Sequence, residues 1–352
     1  MKPWEKLLVT NRKDWMIMSE IIDRIADRLM SALDKPGSVF LYPHIGIDGD
    51  ALGSALALAL VLSRIGVPVR LPLDEDIPDR LNFLPGLDLI ECYREDLLES
   101  FSRDQQLAIA IDCSDSERVG RRRALFDLSP EKAALDHHVS GGESGDLRWI
   151  DPSAAAAGEI VFDLITRLEK RAGRRLHDET TETLLMTAII SDTGGFVYSN
   201  TTARTFRTAA SLMDGDINLR RITYQLFDMT SQVRMRLMGR IFTDVRFSHE
   251  GRLALALVGQ NLLAEHQATD ADLEGVIAHL RNVAGVEVAF LIREIDNDLL
   301  RVNIRSSDSF NAADFAQNYG GGGHPKAAGL QLRNMSLDDA ARMIVDKAGE
   351  WL

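Results

Sequence analysis

The sequence predicts an α/β protein in which a parallel-sheet domain is joined by a helical connector to a smaller mixed-sheet α/β domain. Three observations carry that reading. Between residues 39 and 73 an apolar run, a long apolar helix pattern and a second apolar run follow one another at the spacing of a βαβ unit. Further apolar runs end repeatedly in acid or imidazole, at Asp112 and at Asp136 to His138. From Phe242 onward the pattern changes to alternating strands with hairpin signals, as in RLALALVG after the turn His249, Glu250, Gly251. The boundaries that follow are 15–213 for the first domain, 214–241 for the connector and 242–352 for the second.

Taken in order, residues 15–33 are apolar at spacings of three and four with charges between them, which predicts an amphipathic helix ending before Pro36 and Gly37. Strand 39–42 runs into a polar loop and helix 51–65, then strand 67–73. Apolar strands are expected at 107–111 and 133–135, and helices at 153–171, 178–191 and 203–213, the last capped by Thr201 or Thr202. The Arg- and Met-rich stretch 214–241 reads as mostly helical. In the second domain, strands 286–295 and 300–304 flank a turn at Asp296, Asn297 and Asp298, helices 270–283 and 336–349 cover a face, and the loop GGGGHPKAAG spans residues 320–329. Ligands of open parallel sheets bind beyond the carboxyl ends of the strands, so the strand-end acids and imidazoles are expected to converge.

Composition narrows the function classes. The chain has 352 residues, 45% apolar and 26% charged, as a folded globular protein does, and a formal net charge of -13. That charge argues against coating long duplex nucleic acid, which needs clustered Lys and Arg, but leaves room for a basic pocket for a small anion. Cys92 and Cys113 are the only cysteines, so no disulfide framework is expected and a reducing cytoplasm fits. The opening MKPWEKLLVTNRKDW lacks the order of a secretion signal, and the longest apolar run, Ala51 to Leu62, is too short to span a bilayer. No membrane association is expected.

The stretch from Val39 to Ser54, VFLYPHIGIDGDALGS, places His44, Asp48 and Asp50 on one loop between a buried strand and a buried helix. Burying an imidazole and two carboxylates together is unfavourable unless a cation sits among them. With Asp112, His137 and Asp192 the set reaches two His and four Asp, enough for two divalent ions if one carboxylate bridges. Imidazole shifts the preference from Mg toward Mn, Fe, Co or Zn. Two ions a few ångströms apart form the usual apparatus for in-line attack on phosphorus.

Four segments in order, HIGIDGDALGS (His44 to Ser54), AIDCSD (Ala110 to Asp115), LDHH (Leu135 to His138) and ISDTGGF (Ile190 to Phe196), resemble the motifs of the DHH phosphoesterase superfamily. GGGGHPKAAG resembles the signature of the DHH-associated C-terminal domain. The resemblance implies that His44, Asp48 and Asp112 hold one metal and Asp50, Asp112, His137 and Asp192 the other, with Asp112 as bridge. It further implies that Asp136 orients a neighbour, that His138 faces the substrate phosphate as donor or general acid, and that the active site lies in the cleft between the domains. In the second domain it implies a substrate grip built from Arg305, Ser306, Gly321, Gly322, Gly323 and His324. A homodimer is expected from the resemblance alone. Ile47 stands where many relatives have proline, and Gly195 where some carry a larger or charged residue.

The glycine loop with Arg305 favours the bacterial oligoribonuclease and 3'-phosphoadenosine 5'-phosphate phosphatase branch. The expected enzyme is a dinuclear, Mn2+-preferring phosphoesterase that cuts short oligoribonucleotides to mononucleotides and dephosphorylates the nucleotide bisphosphate. Alternatives are a cyclic-dinucleotide phosphodiesterase, a manganese inorganic pyrophosphatase, and a non-catalytic nucleotide-binding regulator. The pyrophosphatase would need a C-terminal cationic cluster, whereas the arginine run here, Arg121 to Arg123, is in the first domain.

Overall fold

The computed structural model describes residues 12–138, 147–296 and 298–352, with side chains from Glu20 on. The start of the chain read for a targeting signal, up to residue 11, and Asn297 of the expected turn lie outside that range. The chain forms two compact units that divide between Met229 and Thr230.

The first unit is built on a six-stranded sheet, all of whose pairings are parallel. Its strands are β1 (Ser38–Pro43), β2 (Val69–Leu73), β3 (Ile90–Cys92), β4 (Gln105–Ile111), β5 (Lys132–Asp136) and β6 (Leu147–Ile150), in spatial order β3-β2-β1-β4-β5-β6. Order reverses between β1 and β4, which is where a doubly wound sheet opens a crevice for ligands. β1 is buried along its whole length, so its residues alternate between two cores. Val39 and Leu41 face the larger core, covered by α1 (Arg12–Ser31), α2 (Gly49–Ile65), α5 (Ala157–Ala172) and α6 (Glu179–Thr193); Phe40 and Tyr42 face the smaller one, under the short helices α3 (Leu98–Asp104) and α4 (Arg123–Asp127).

Helix α2 is buried almost all round. It approaches α6 so closely that a Cβ at Gly49 would sit 2.7 Å from the Ser191 side chain, and one at Gly53 2.6 Å from the Leu184 carbonyl oxygen. These two glycines therefore set the distance between the helices that carry Asp50 and Asp192. Helix α7 (Ala203–Met213) starts at Thr202, whose side chain and that of Thr205 form a reciprocal cap.

The stretch read as a connector breaks at 229–231. Its first half, α8 (Leu219–Thr223) and a π-helical turn (Tyr224–Asp228), packs Ile222 into the large core of the first unit. Its second half, α9 (Gln232–Thr243), packs Leu237 and Ile241 into the second.

The second unit carries a mixed sheet of β7 (Arg246–Ser248), β8 (Leu253–Val258), β9 (Val288–Asp296), β10 (Leu299–Ser306), β11 (Gly322–His324) and β12 (Ala327–Arg333), ordered β11-β12-β10-β9-β8-β7, with only β8 and β9 parallel. One face packs against α12 (Ala312–Gln317) and α13 (Leu337–Gly349). On the other, α9, α10 (Gln260–His266) and α11 (Val276–Arg281) cover β8 and β9, where Ala254, Ala256, Ala289 and Leu291 are buried. The same face of β10 and β12 carries Arg301, Asn303, Arg305, Gly329 and Gln331 and lines a cavity of about 690 Å3. Among the described residues no helix is long and apolar enough to cross a membrane.

Candidate metal centre

The six strand- and helix-end residues meet at the carboxyl end of the parallel sheet. His44 follows β1, Asp112 follows β4, and His137 follows β5, while Asp192 ends helix α6. Their side chains form three overlapping groups able to hold a cation: His44, Asp48 and Asp112; Asp50, His137 and Asp192; and Asp112, His137 and His138.

Asp48 does double duty. Its Oδ1 accepts from the backbone N–H groups of Asp50 and Ala51 and so caps α2, while Oδ2 lies 3.7 Å from His44 Nε2. Asp50 is fully buried and sits at the amino end of α5, where it accepts from the N–H groups of Ala157 (2.6 Å) and Gly158 (2.9 Å) and from the Ser54 hydroxyl (3.0 Å). A helix N-terminus is a natural partner for a carboxylate, and Ala156 at the cap position has no side chain to offer. Sequence reading found Asp50 but not this seat, because the partners lie more than a hundred residues away.

Asp112 Oδ2 is 3.2 Å from His44 Nε2, and Oδ1 is 3.2 Å from His137 Nε2. His137 Nε2 is also 3.1 Å from Asp192 and 3.8 Å from Asp50. Asp112 Oδ1 and His137 Nε2 are buried, yet neither makes a hydrogen bond of acceptable geometry. Such orphaned groups are what a coordinated cation would satisfy.

Electrostatics agree. Burial and the charges of Asp112 and Asp192 push the Asp50 carboxyl well above the usual range. Burial alone would lower the pKa of His44, but Asp112 and Asp48 outweigh it and lift it to about 10. For His137, Asp112 and Asp192 outweigh burial in the same way and lift it to about 11. Asp50, His44 and His137 therefore hold their protons until something positive replaces them.

Asp136 is buried and its Oδ1 is 2.7 Å from His138 Nδ1, with the His138 N–H donating to the same oxygen at 3.1 Å. Burial would raise its pKa, but the hydrogen bonds from His138 prevail and hold it low. Asp136 thus orients His138 and lies outside the three cation-holding groups. Beyond α6, two polar side chains, Asn200 and Arg204, are engaged within the first unit. Asn200 donates to the carbonyls of Ala155 and Asp192, Arg204 is paired with Asp151, Glu159 and Asp163, and Thr201 precedes the cap at Thr202.

In the second unit, Arg305, Gly321 and Gly322 line the 690 Å3 cavity beside Arg301 and Asn303. Ser306 points to the other face, where it is buried and its hydroxyl donates to the Pro325 carbonyl. His324 is exposed at the end of β11, opposite Ala327. Gly321 and Gly323 allow that edge to lie against β12, since a Cβ at either would come within 2.5 Å of a carbonyl oxygen, whereas Gly322 has open space before it. Arg301 and Gln331 were missed from the sequence; strand alternation from Arg305 would have found Arg301.

Comparison with known proteins fits this architecture. Residues 38–189 match the DHH family, N-terminal domain, and residues 253–352 the DHHA1 domain. The bifunctional oligoribonuclease and PAP phosphatase NrnA of Thermus thermophilus is 30% identical over 330 residues, 94% of each chain. The protein of the same name from Bacillus subtilis is 28% identical, covering 90% of this chain and 96% of its own. The crystal structure of an exopolyphosphatase-related protein from Bacteroides fragilis matches with a TM-score of 0.81 and 22% identity, over 92% of this chain and 95% of that one. Fold, site and relatives together define a hydrolase that acts on phosphoric ester bonds. The chain belongs to the DHH family of phosphoesterases, in its two-domain DHH–DHHA1 form.

Proposed function

We propose that this phosphoesterase hydrolyses short oligoribonucleotides to mononucleotides and dephosphorylates 3'-phosphoadenosine 5'-phosphate, using two divalent ions, preferably Mn2+. The observation that carries the two-ion reading is Asp112, which presents a different oxygen to each of two ligand groups. His44, Asp48 and Asp112 would hold one ion, and Asp50, Asp112, His137 and Asp192 the other. A mixed imidazole and carboxylate set suits Mn2+ better than Mg2+. When bound, such a pair supplies Lewis-acid stabilisation of phosphoryl oxygens and a nucleophile at neutral pH.

The chain's own residues supply the rest. Asp136 accepts Nδ1–H of His138, which leaves Nε2–H of the imidazolium form to donate its proton to the leaving oxygen. The side chain of His138 is 39% exposed, so a substrate can reach it. In the second unit, Arg305 grips a phosphate through its planar fork, with the glycine edge and His324 adding donors. The substrate class is supported by the names of the relatives and by a cationic, glycine-walled cavity of a size for a nucleotide. A homodimer is supported by exposed Val197, Tyr198, Phe206 and Phe227 in the first unit, and a reducing cytoplasm by two free cysteines.

The test is a substrate panel with Mn2+ against metal-stripped protein: the nucleotide bisphosphate, pApA, RNA of two to ten nucleotides, cyclic di-AMP and pyrophosphate. Fastest turnover of the first three supports the reading. Pyrophosphate or cyclic di-AMP as best substrate overturns it.

A further inference from the structure

The arginine run at 121–123 is not part of the ligand set, yet it leads to the loop that carries His44 and Asp48. Arg122 is fully buried, and it donates from Nη2 to the Pro43 carbonyl at 2.9 Å and from Nη1 to the Pro72 carbonyl at 3.1 Å. Its Nε lies 2.7 Å from Asp74. Those contacts tie the carboxyl ends of β1 and β2 together and fix the position of the next residue, Glu75.

The Glu75 carboxylate accepts from the N–H of Gly46 (Oε2, 3.0 Å) and from the N–H of Ile47 (Oε1, 3.2 Å). The preceding N–H, of Ile45, donates to the Arg118 carbonyl at 2.8 Å. Three consecutive backbone donors between His44 and Asp48 are therefore held from outside the loop, two of them by one side chain. The bond from residue 47 exists only because that residue has an N–H, which proline would lack. Charge-assisted bonds of this kind are about twice as strong as neutral ones.

We infer that Glu75 is a positioning residue that sets the cation affinity of the His44, Asp48, Asp112 group alone. The other group has its own supports: although the Asp50 N–H is capped by Asp48, the Asp50 carboxylate is seated on the amino end of α5 and by Ser54. Releasing the loop at Gly46 and Ile47 loosens His44 and Asp48 and leaves Asp50, His137 and Asp192 in place. This inference rests on the two-ion reading of the centre.

The test is calorimetric titration of the metal-stripped full-length chain with Mn2+, without substrate. For Glu75→Ala one of two binding steps weakens about tenfold to a hundredfold, as for other groups that orient a ligand, while the other changes less than about twofold. Glu75→Gln keeps one acceptor oxygen and falls between. Ile47→Pro removes one donor without touching the charge, and in that background Glu75→Ala has a smaller effect than in the unsubstituted chain. Equal weakening of both steps, or no weakening, overturns the inference. If the unsubstituted chain binds a single ion, the two-ion reading fails; Glu75 then stands on a tenfold loss of that ion and falls if its affinity is unchanged.

Discussion

Asp112 places its two carboxylate oxygens 3.2 Å from two different imidazoles, Oδ2 from His44 and Oδ1 from His137. It does so from a left-handed backbone position, φ +59°, uncommon for residues other than glycine and better tolerated by Asp and Asn. Its N–H is fixed by the Leu135 carbonyl at 2.9 Å. The turn after β4 thus aims one side chain between the ends of β1 and β5.

Asp112→Asn separates the chemistry from the backbone. Asn keeps the size and the left-handed tolerance but removes the charge shared by both ligand groups. We expect cation binding to weaken at both steps and turnover to fall at least about a hundredfold, with the metal-stripped fold intact. Asp112→Ala should show the same loss and also cost roughly 1–2 kcal/mol of stability in backbone strain, read as a lower thermal midpoint. Full activity of Asp112→Asn would sink the bridging role.

The pH dependence follows from His44 and His137. Their folded pKa values, about 10 and about 11, lie above the unfolded value near 6.5. The metal-free fold binds these protons more tightly than the unfolded chain, so the stability they contribute is complete below pH ~6.5 and is lost as pH rises through the folded values. Asp50, whose pKa is also raised, acts in the same direction from its unfolded value upward. Metal-stripped protein should melt at lower temperature at pH 9 than at pH 6.5, and Mn2+ should bind more tightly at pH 9, releasing protons. The slope should shrink in His44→Gln and His137→Gln. A metal-stripped melting temperature that rises over this interval would count against the crowded, cation-deficient centre.

Asp136 and His138 form a separable pair. Asp136→Asn replaces the charged acceptor of His138 Nδ1–H with a neutral amide that can also donate to Nδ1, so the imidazole loses its fixed tautomer. The expected result is a kcat lower by about 10²–10⁴ with Mn2+ affinity nearly unchanged. Adding His138→Gln should lower it little further, because the two act as a unit. A large drop in Mn2+ affinity for Asp136→Asn would move Asp136 into the ligand set.

The parallel sheet, its buried α2 and the convergence of the six acid and imidazole side chains were legible because each is written locally, as an apolar run or helix ending in Asp or His. Short elements were not: β3 and β6 have three and four residues, too few to show a period. Helix 153–171 begins at Ala157, since residues 151–156 form turns that deliver two N–H groups to Asp50. Such contacts have no sequence signal, because a backbone N–H is the same in every residue. Glu75 was invisible for the same reason. Arg122 was noticed as part of a run, but charge alone gave no hint that it is fully buried.

Gly321, Gly322 and Gly323 at the β11 edge have different reasons to be glycine. A Cβ at Gly321 would lie 2.3 Å from the Gly329 carbonyl oxygen and one at Gly323 2.5 Å from that of Ala327, so alanine at either position must push β11 off β12. Gly321→Ala and Gly323→Ala should each destabilise the second unit by roughly 1–3 kcal/mol. Nothing lies within 4 Å of a Cβ at Gly322, which lines the cavity beside Arg305. Gly322→Ala should leave the melting temperature unchanged and raise KM for short oligoribonucleotides, with kcat largely kept, as Arg305→Lys should by losing the bidentate fork. Melting curves and KM for the three alanine variants separate packing from binding. If Gly322→Ala alters neither, the cavity does not hold the substrate.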